Sequence, residues 1–275
     1  MLAGAFGRVF WTLLGSLIVV AGALVYGTLV RQIRARRATA APGSTEVTPG
    51  KAFGLPEAFL AAGLVLFLLM SVTASVGRSP IQLNSRDLAA NFLLALFIVC
   101  VVAAFLKLRG IDIDSLGGFS RTSLKRALST AVVLLLAATP LIILTEALTQ
   151  NAFGSGSSRQ EIVDLFNSSR TIEQRMMIIV LAVVVAPISE EFIFRFFIYG
   201  VLRRYFGIAI GLVFNALLFA AAHNHLPSAA PLFVLGGCFT LAYEWSGSIL
   251  VSMAMHSLFN STQLIFLAFP ELVSQ

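Results

Sequence analysis

Residues 186–195 read APISEEFIFR, which places two carboxylates and one arginine inside an otherwise apolar segment. A buried charge is costly unless it is paired or hydrogen-bonded, and an ionisable residue within a membrane span points to function. If the segment is helical, Glu191 and Arg195 lie four residues apart on one face, where they can neutralise each other. Glu190 lies about 100° further round the helix and has no partner one turn away. We therefore expect its partner on another helix.

The composition of the whole chain is that of a membrane protein. Of 275 residues, 58% are hydrophobic and only 12% are charged, and the mean hydropathy is +0.91. A soluble domain has about 25% charged residues. The sequence thus predicts an all-α, polytopic transmembrane helical bundle of about eight spans, integral to the lipid bilayer and, in a prokaryote, in the plasma membrane. No soluble basic domain is present, so we expect no nucleic-acid partner.

Apolar runs of spanning length, separated by polar or Gly/Pro-rich loops, give the order of the spans. A linker is predicted over 38–55 and an exposed polar loop over 149–171. Proline at 187 suggests a bend in the fifth span. The predicted spans are 10–30, 56–76, 88–106, 127–148, 172–205, 208–225, 229–245 and 248–269.

The basic residues predict an orientation. Most of the 19 lysines and arginines follow spans one, three and five. Because such residues favour the cytoplasmic side, we expect those loops in the cytoplasm and both chain termini outside. Cys100 and Cys238 stand alone in apolar runs, without a zinc-binding pattern, and are expected to be small buried residues.

Counting along the helices brings four polar residues to a similar depth. With a rise of about 1.5 Å per residue, Glu190 lies roughly 20 Å before the turn near 203–207, and His223 lies roughly 24 Å after it. His256 and Asn260 are about 14 and 20 Å into the last span. They are four residues apart and share one face. The sequence therefore predicts that side chains from three helices meet in one buried layer.

Such a layer suits hydrolysis. Glu190 can take a proton from a water that His223 also holds, and His256 with Asn260 can donate hydrogen bonds to an oxyanion. Glu190, His223 and His256 could instead bind a catalytic zinc, which takes three protein ligands and water. No H-E-x-x-H motif is present, so the metal-free version is favoured and no cofactor is expected.

Three motifs carry a resemblance to a known family: EEFIFR at 190–195, FAAAH at 219–223 and HSLFN at 256–260. Their order and intervals resemble the CPBP family, the CAAX prenyl protease and bacteriocin-processing (Abi) intramembrane endopeptidases. The resemblance covers about residues 172–269. It implies a glutamic-type protease without a required metal, with Glu190 as base, His223 as its water-holding partner, His256 and Asn260 as oxyanion donors, and Glu191 and Arg195 as supporting residues.

The resemblance suggests a division of the chain. Residues 1–50 form an N-terminal anchor and linker, 51–171 hold spans two to four, and 172–275 form the CPBP-like catalytic core. The first four spans match no family. The expected substrate is a membrane-associated peptide or protein: a prenylated tail, a leader peptide and a membrane-bound regulator remain open.

Two plainer interpretations stand beside this one. Glu191 and Arg195 can be a purely structural pair, because each satisfies the other. The polar layer as a whole can serve packing in a non-catalytic scaffold, an immunity protein or a transporter. A transporter would be expected to show internal repeats or paired broken helices, and the sequence has neither.

Overall fold

The computed structural model describes residues 2–39, 53–75, 85–153 and 171–269, together with the single residues 166, 169 and 271. All the regular secondary structure in these ranges is helical. The first half of the chain forms α1 (Leu2–Thr39), α2 (Leu55–Ser75), α3 (Ser85–Leu108), the short α4 (Ile113–Gly117) and α5 (Leu124–Phe153).

The second half begins with a continuous helical stretch of 51 residues, Ile172–Ala222. Within it, two π-helical segments, Leu181–Val185 and Phe192–Ile198, alternate with α-helix. The helices of this half are α6 (Ile172–Val180), α7 (Ala186–Glu191), α8 (Tyr199–Ala222), α9 (Ala229–Ser246) and α10 (Ile249–Ala268).

The all-α, multi-pass membrane architecture predicted from the sequence is confirmed. Six helical stretches in the described ranges are long and apolar enough to cross a membrane, and a seventh, Phe92–Leu108, is apolar but shorter. Predicted spans five and six are the two parts of the 51-residue stretch. They meet at Gly207, whose φ of 80° and ψ of 175° interrupt the helix where the turn was expected. A positive φ is a conformation that glycine adopts without steric cost.

The first helix is longer than the predicted span, because α1 continues to Thr39. Arg31, Arg34, Arg36 and Arg37 therefore lie on the helix rather than in a loop. The extension has a partner: Arg36 Nη1 donates to Trp245 O at 2.8 Å. Of the predicted linker, residues 40–52 lie outside the described residues, as do 76–84 and most of the predicted loop at 149–171.

Close packing among α1, α5, α8, α9 and α10 forms the core around the polar layer. The α8 and α9 helices pack along one another, and α5 lies between α1 and α10. Tyr26 on α1 donates its hydroxyl to Leu134 O on α5 at 2.9 Å. Cys238 is buried as expected, whereas Cys100 is exposed on α3. The division of the chain at 50 and 171, and its orientation in the bilayer, stay predictions.

Candidate active site

Glu190 and Glu191 lie at the end of α7, between the two π-helical segments. Pro187 has no N–H, so it leaves a carbonyl of the preceding turn without a backbone donor in either α- or π-helical register. Side chains of α10 supply donors to that turn. Asn260 Nδ2 donates to Ala182 O at 2.8 Å, and Ser257 Oγ donates to Val183 O at 2.7 Å. These bonds hold α10 against the helix just ahead of the two acids.

Glu191 is the buried member of the acid pair. Its carboxylate lies 3.0 Å from Arg195 Nη1, and both side chains have no solvent exposure. The same oxygen, Oε1, lies 2.9 Å from His256 Nδ1. Arg195 also donates from Nη2 to Gly236 O at 3.3 Å. Glu191 therefore connects the arginine of its own helix to the histidine of α10.

Two imidazole rings face Glu190. Its Oε2 atom lies 3.8 Å from His223 Nε2 and 3.9 Å from His256 Nε2. These distances exceed those of direct hydrogen bonds. Glu190 Oε2 is buried and has no hydrogen-bond partner among the described residues, although the side chain as a whole keeps 29% exposure. An unsatisfied carboxylate oxygen between two rings is a place for a polar group of solvent or substrate.

The hydrogen-bond partner of Nδ1 in each ring determines which ring nitrogen carries the proton. His223 Nδ1 lies 2.7 Å from Phe219 O, a carbonyl that can only accept. His223 therefore donates from Nδ1, and its neutral form has a lone pair on Nε2. His256 Nδ1 likewise donates to the Glu191 carboxylate. In the neutral form of either ring, the Nε2 lone pair then faces Glu190.

Aromatic rings close the buried side of this cluster. Phe239 stacks on His256, with ring centroids 5.1 Å apart and planes at 27°. Phe219 contacts the rings of both His223 and His256 edge-on, at centroid distances of 4.6 and 5.9 Å. The Arg195 guanidinium lies 4.0 Å from the Phe219 centroid, a cation–π contact. Packing thus fixes His256 between two aromatic rings and His223 against one.

A cavity of about 440 Å³ opens beside the cluster. Glu190, His223, His256 and Asn260 all line it, as do several apolar residues of α5, α9 and α10. The structure thus brings together the four residues predicted to be catalytic, and the supporting pair lies directly behind them. No group of three or more His, Cys, Asp or Glu side chains in the described ranges is arranged to hold a metal ion.

Sequence reasoning missed three features of the site. The hydrogen bond from His256 to Glu191 was not predicted. It could have been considered, because a carboxylate accepts more than one donor and Glu191 can therefore bind a second donor besides Arg195. Phe239 lies in a uniformly apolar span and gives no signal in the sequence. Glu146 and Gln150, on α5, line the cavity from outside the region of the three motifs.

Two comparisons with known proteins bear on this geometry. Residues 172–262 match the family described as type II CAAX prenyl endopeptidase Rce1-like. The chain is also 33% identical, over 89 residues, to the membrane-embedded CAAX protease MroQ of Staphylococcus aureus (strain USA300); the match covers 30% of this chain and 36% of that protein. The chain thus spans about a third of the length of this relative. No solved structure matches the chain. All three motifs lie inside the matched segment, so residues 172–262 of this integral, multi-pass membrane protein are similar to the CAAX protease family.

Proposed function

We propose that this protein is an intramembrane endopeptidase that hydrolyses a peptide bond in a membrane-associated peptide or protein. The observation that carries the proposal is the buried Glu190 Oε2, which has no hydrogen-bond partner in the described ranges and lies between His223 Nε2 and His256 Nε2 at the wall of a cavity. The family match supports the same class of reaction. In this proposal the catalysis is glutamic-type and needs no metal.

Glu190 and His223 would activate the attacking water. A water beside Glu190 Oε2 can donate one hydrogen bond to the carboxylate and one to the His223 lone pair. Its oxygen attacks the carbonyl carbon of the scissile bond while Glu190 takes its proton. When the tetrahedral intermediate collapses, the carbon–nitrogen bond breaks, and Glu190 returns that proton to the leaving amine.

His256 and Asn260 would stabilise the oxyanion. Because His256 donates from Nδ1 to Glu191, it has an N–H at Nε2 only when the ring is doubly protonated. The proposal therefore uses the doubly protonated ring, whose Nδ1–H is accepted by Glu191. Asn260 Nδ2 gives one hydrogen to Ala182 O, and its second N–H remains for the substrate oxygen. In this proposal Glu191 and Arg195 position His256 from behind, which their contacts with its Nδ1 and with each other support.

A zinc-dependent version of the same protease remains the second candidate. Both histidines donate from Nδ1 to oxygen acceptors, as zinc-bound histidines do, which leaves Nε2 towards Glu190. Against this version, no group of side chains in the described ranges is arranged to hold a metal ion. Exhaustive chelation of the purified protein separates the two. Cleavage that survives chelation excludes the zinc version, whereas cleavage that is lost and restored by added zinc supports it.

The test of the proposal compares cells that produce the wild-type protein, Glu190→Gln or Glu173→Gln. Glu173 is an exposed acid near the start of α6, outside the cavity, and makes a matched control. Removing a general base lowers the rate by roughly 100-fold or more. New termini of membrane proteins, read by mass spectrometry, are expected in cells with the wild-type protein or Glu173→Gln. They are expected to be absent in cells with Glu190→Gln. Identical termini in all three strains would exclude the protease and favour a non-catalytic scaffold or immunity protein.

A further inference from the structure

Glu146 brings an acid into the cavity from a helix that carries none of the proposed catalytic residues. It lies on α5, one turn after Ile142 and one turn before Gln150, and all three line the cavity with Glu190. The side chain is half-buried. The three motifs of the sequence do not include this position, and the hydrolytic steps make no use of it.

Glu146 forms no ion pair with the described residues. Gln150 Nε2 donates to Glu146 Oε1 at 3.2 Å, but the glutamine amide carries no charge that could balance the carboxylate. The described residues that line the cavity contain no lysine or arginine, while they contain two glutamates and three histidines; two of the histidines, His223 and His256, face Glu190 rather than Glu146. A half-buried carboxylate without a charged partner favours a cation beside it.

We propose that Glu146 is a specificity-determining residue that binds a lysine or arginine side chain of the substrate, close to the scissile bond. This inference rests on the proposed endopeptidase function and names the substrate class of that same site. A peptide that brings its scissile carbonyl to Glu190 occupies the cavity that Glu146 lines. A basic side chain can lay its methylene stem along the apolar wall around Ile142 and place its charged end at Glu146 Oε2, the oxygen to which Gln150 does not donate. An acidic substrate residue there would be repelled.

The test uses the purified full-length protein in phosphatidylcholine vesicles, whose neutral surface does not itself select charged peptides. The probes are internally quenched decapeptides of Ala and Leu in which one position at a time is Lys, Gln or Glu. The quantity compared is the ratio of kcat/KM for a Lys peptide to that for the matched Gln peptide. A hydrogen bond to a charged group is expected to raise this ratio to about tenfold at one position.

Three variants make the measurement specific. Glu146→Gln is expected to bring the ratio close to one, Glu146→Lys to reverse the preference in favour of the Glu peptide, and Glu173→Gln to keep the wild-type ratio. The effect is expected mainly in KM, because the contact is formed with bound substrate. Reversal by Glu146→Lys is a gain that a folding defect cannot produce.

The outcomes separate this inference from the function on which it rests. Cleavage that depends on Glu190 but shows no Lys preference, or a preference that Glu146→Gln leaves intact, overturns the role of Glu146 alone. Absence of any Glu190-dependent cleavage, with these probes and in the comparison of cellular termini, overturns both proposals.

Discussion

Replacing Arg195 by methionine tests whether the charge pair behind His256 is as costly to break as its burial implies. Arg195 and Glu191 have no solvent exposure and lie 3.0 Å apart. In Arg195→Met the Glu191 carboxylate keeps only the bond from His256 Nδ1. Removing one partner of a buried pair costs about 3–5 kcal/mol, because the other charge stays buried without compensation. At 2–4 °C per kcal/mol, the apparent Tm should fall by roughly 10 °C.

The assay is thermal unfolding of the purified protein in one detergent, with Arg204→Met as the matched control. Arg204 is an exposed arginine on α8, so its loss should change the apparent Tm by less than about 2 °C. The double variant Glu191→Leu/Arg195→Met removes both charges. It is expected to recover more than half of the lost stability, because an apolar pair of similar volume replaces the ions. It should nevertheless remain inactive, since His256 has lost its acceptor.

The comparison can refute the reasoning in two ways. If Arg195→Met melts within about 2 °C of Arg204→Met, the guanidinium does not compensate Glu191 as the structure implies. If the double variant melts no higher than Arg195→Met alone, the cost lies in lost packing against the surrounding phenylalanine rings rather than in a stranded charge. Either result would remove the electrostatic account of the pair.

Two further substitutions test the backbone around the cluster. Asn224, directly after His223, has a φ of 52°. Asn224→Ala should therefore lower the free energy of unfolding by about 1 kcal/mol and lower cleavage, while Asn224→Gly should keep stability and cleavage near wild type. A loss of cleavage in Asn224→Gly as well would mean that the side chain, not the backbone, is required. A Cβ at Gly236 would lie 3.0 Å from Phe219 Cδ1, so Gly236→Ala should destabilise by about 1–3 kcal/mol in thermal unfolding. At the neighbouring Gly237 the nearest atom is 3.9 Å away, and Gly237→Ala should be neutral or stabilising; equal melting of the two variants would contradict the packing argument.

Much of the fold and the meeting of the catalytic candidates could be predicted, because membrane helices obey simple geometry. Hydrophobic length sets where a span begins and ends, and a fixed rise per residue converts sequence distance into depth. Gly207 reverses the chain, and the count from that turn placed His223 opposite Glu190, as the 3.8 Å distance confirms. Burial of charge gave the remaining constraint, since Glu191 and Arg195 had to pair.

The features that were missed depend on which faces of distant helices meet. In a uniformly apolar span, hydropathy does not predict which face of the helix points to lipid and which to protein, since the lipid and the protein interior are equally apolar. Phe239 is therefore indistinguishable by sequence from phenylalanines that face lipid. The two π-helical segments also escaped prediction. A bend was expected at Pro187, whereas the structure has a π-helical turn ahead of it, with Ser257 and Asn260 of α10 bonded to that turn.

The two adjacent acids have different tasks because neighbouring residues of a helix face directions about 100° apart. Glu191 points into the bundle, where Arg195 and His256 use its oxygen, so its loss strands a guanidinium and frees an imidazole. Glu190 points to the cavity, where no buried group depends on it for a hydrogen bond in the described part of the chain. Glu190→Gln should therefore remove cleavage while leaving the apparent Tm near wild type, whereas Glu191→Leu should lower both. If the two variants melt alike, the division of labour between the acids is wrong.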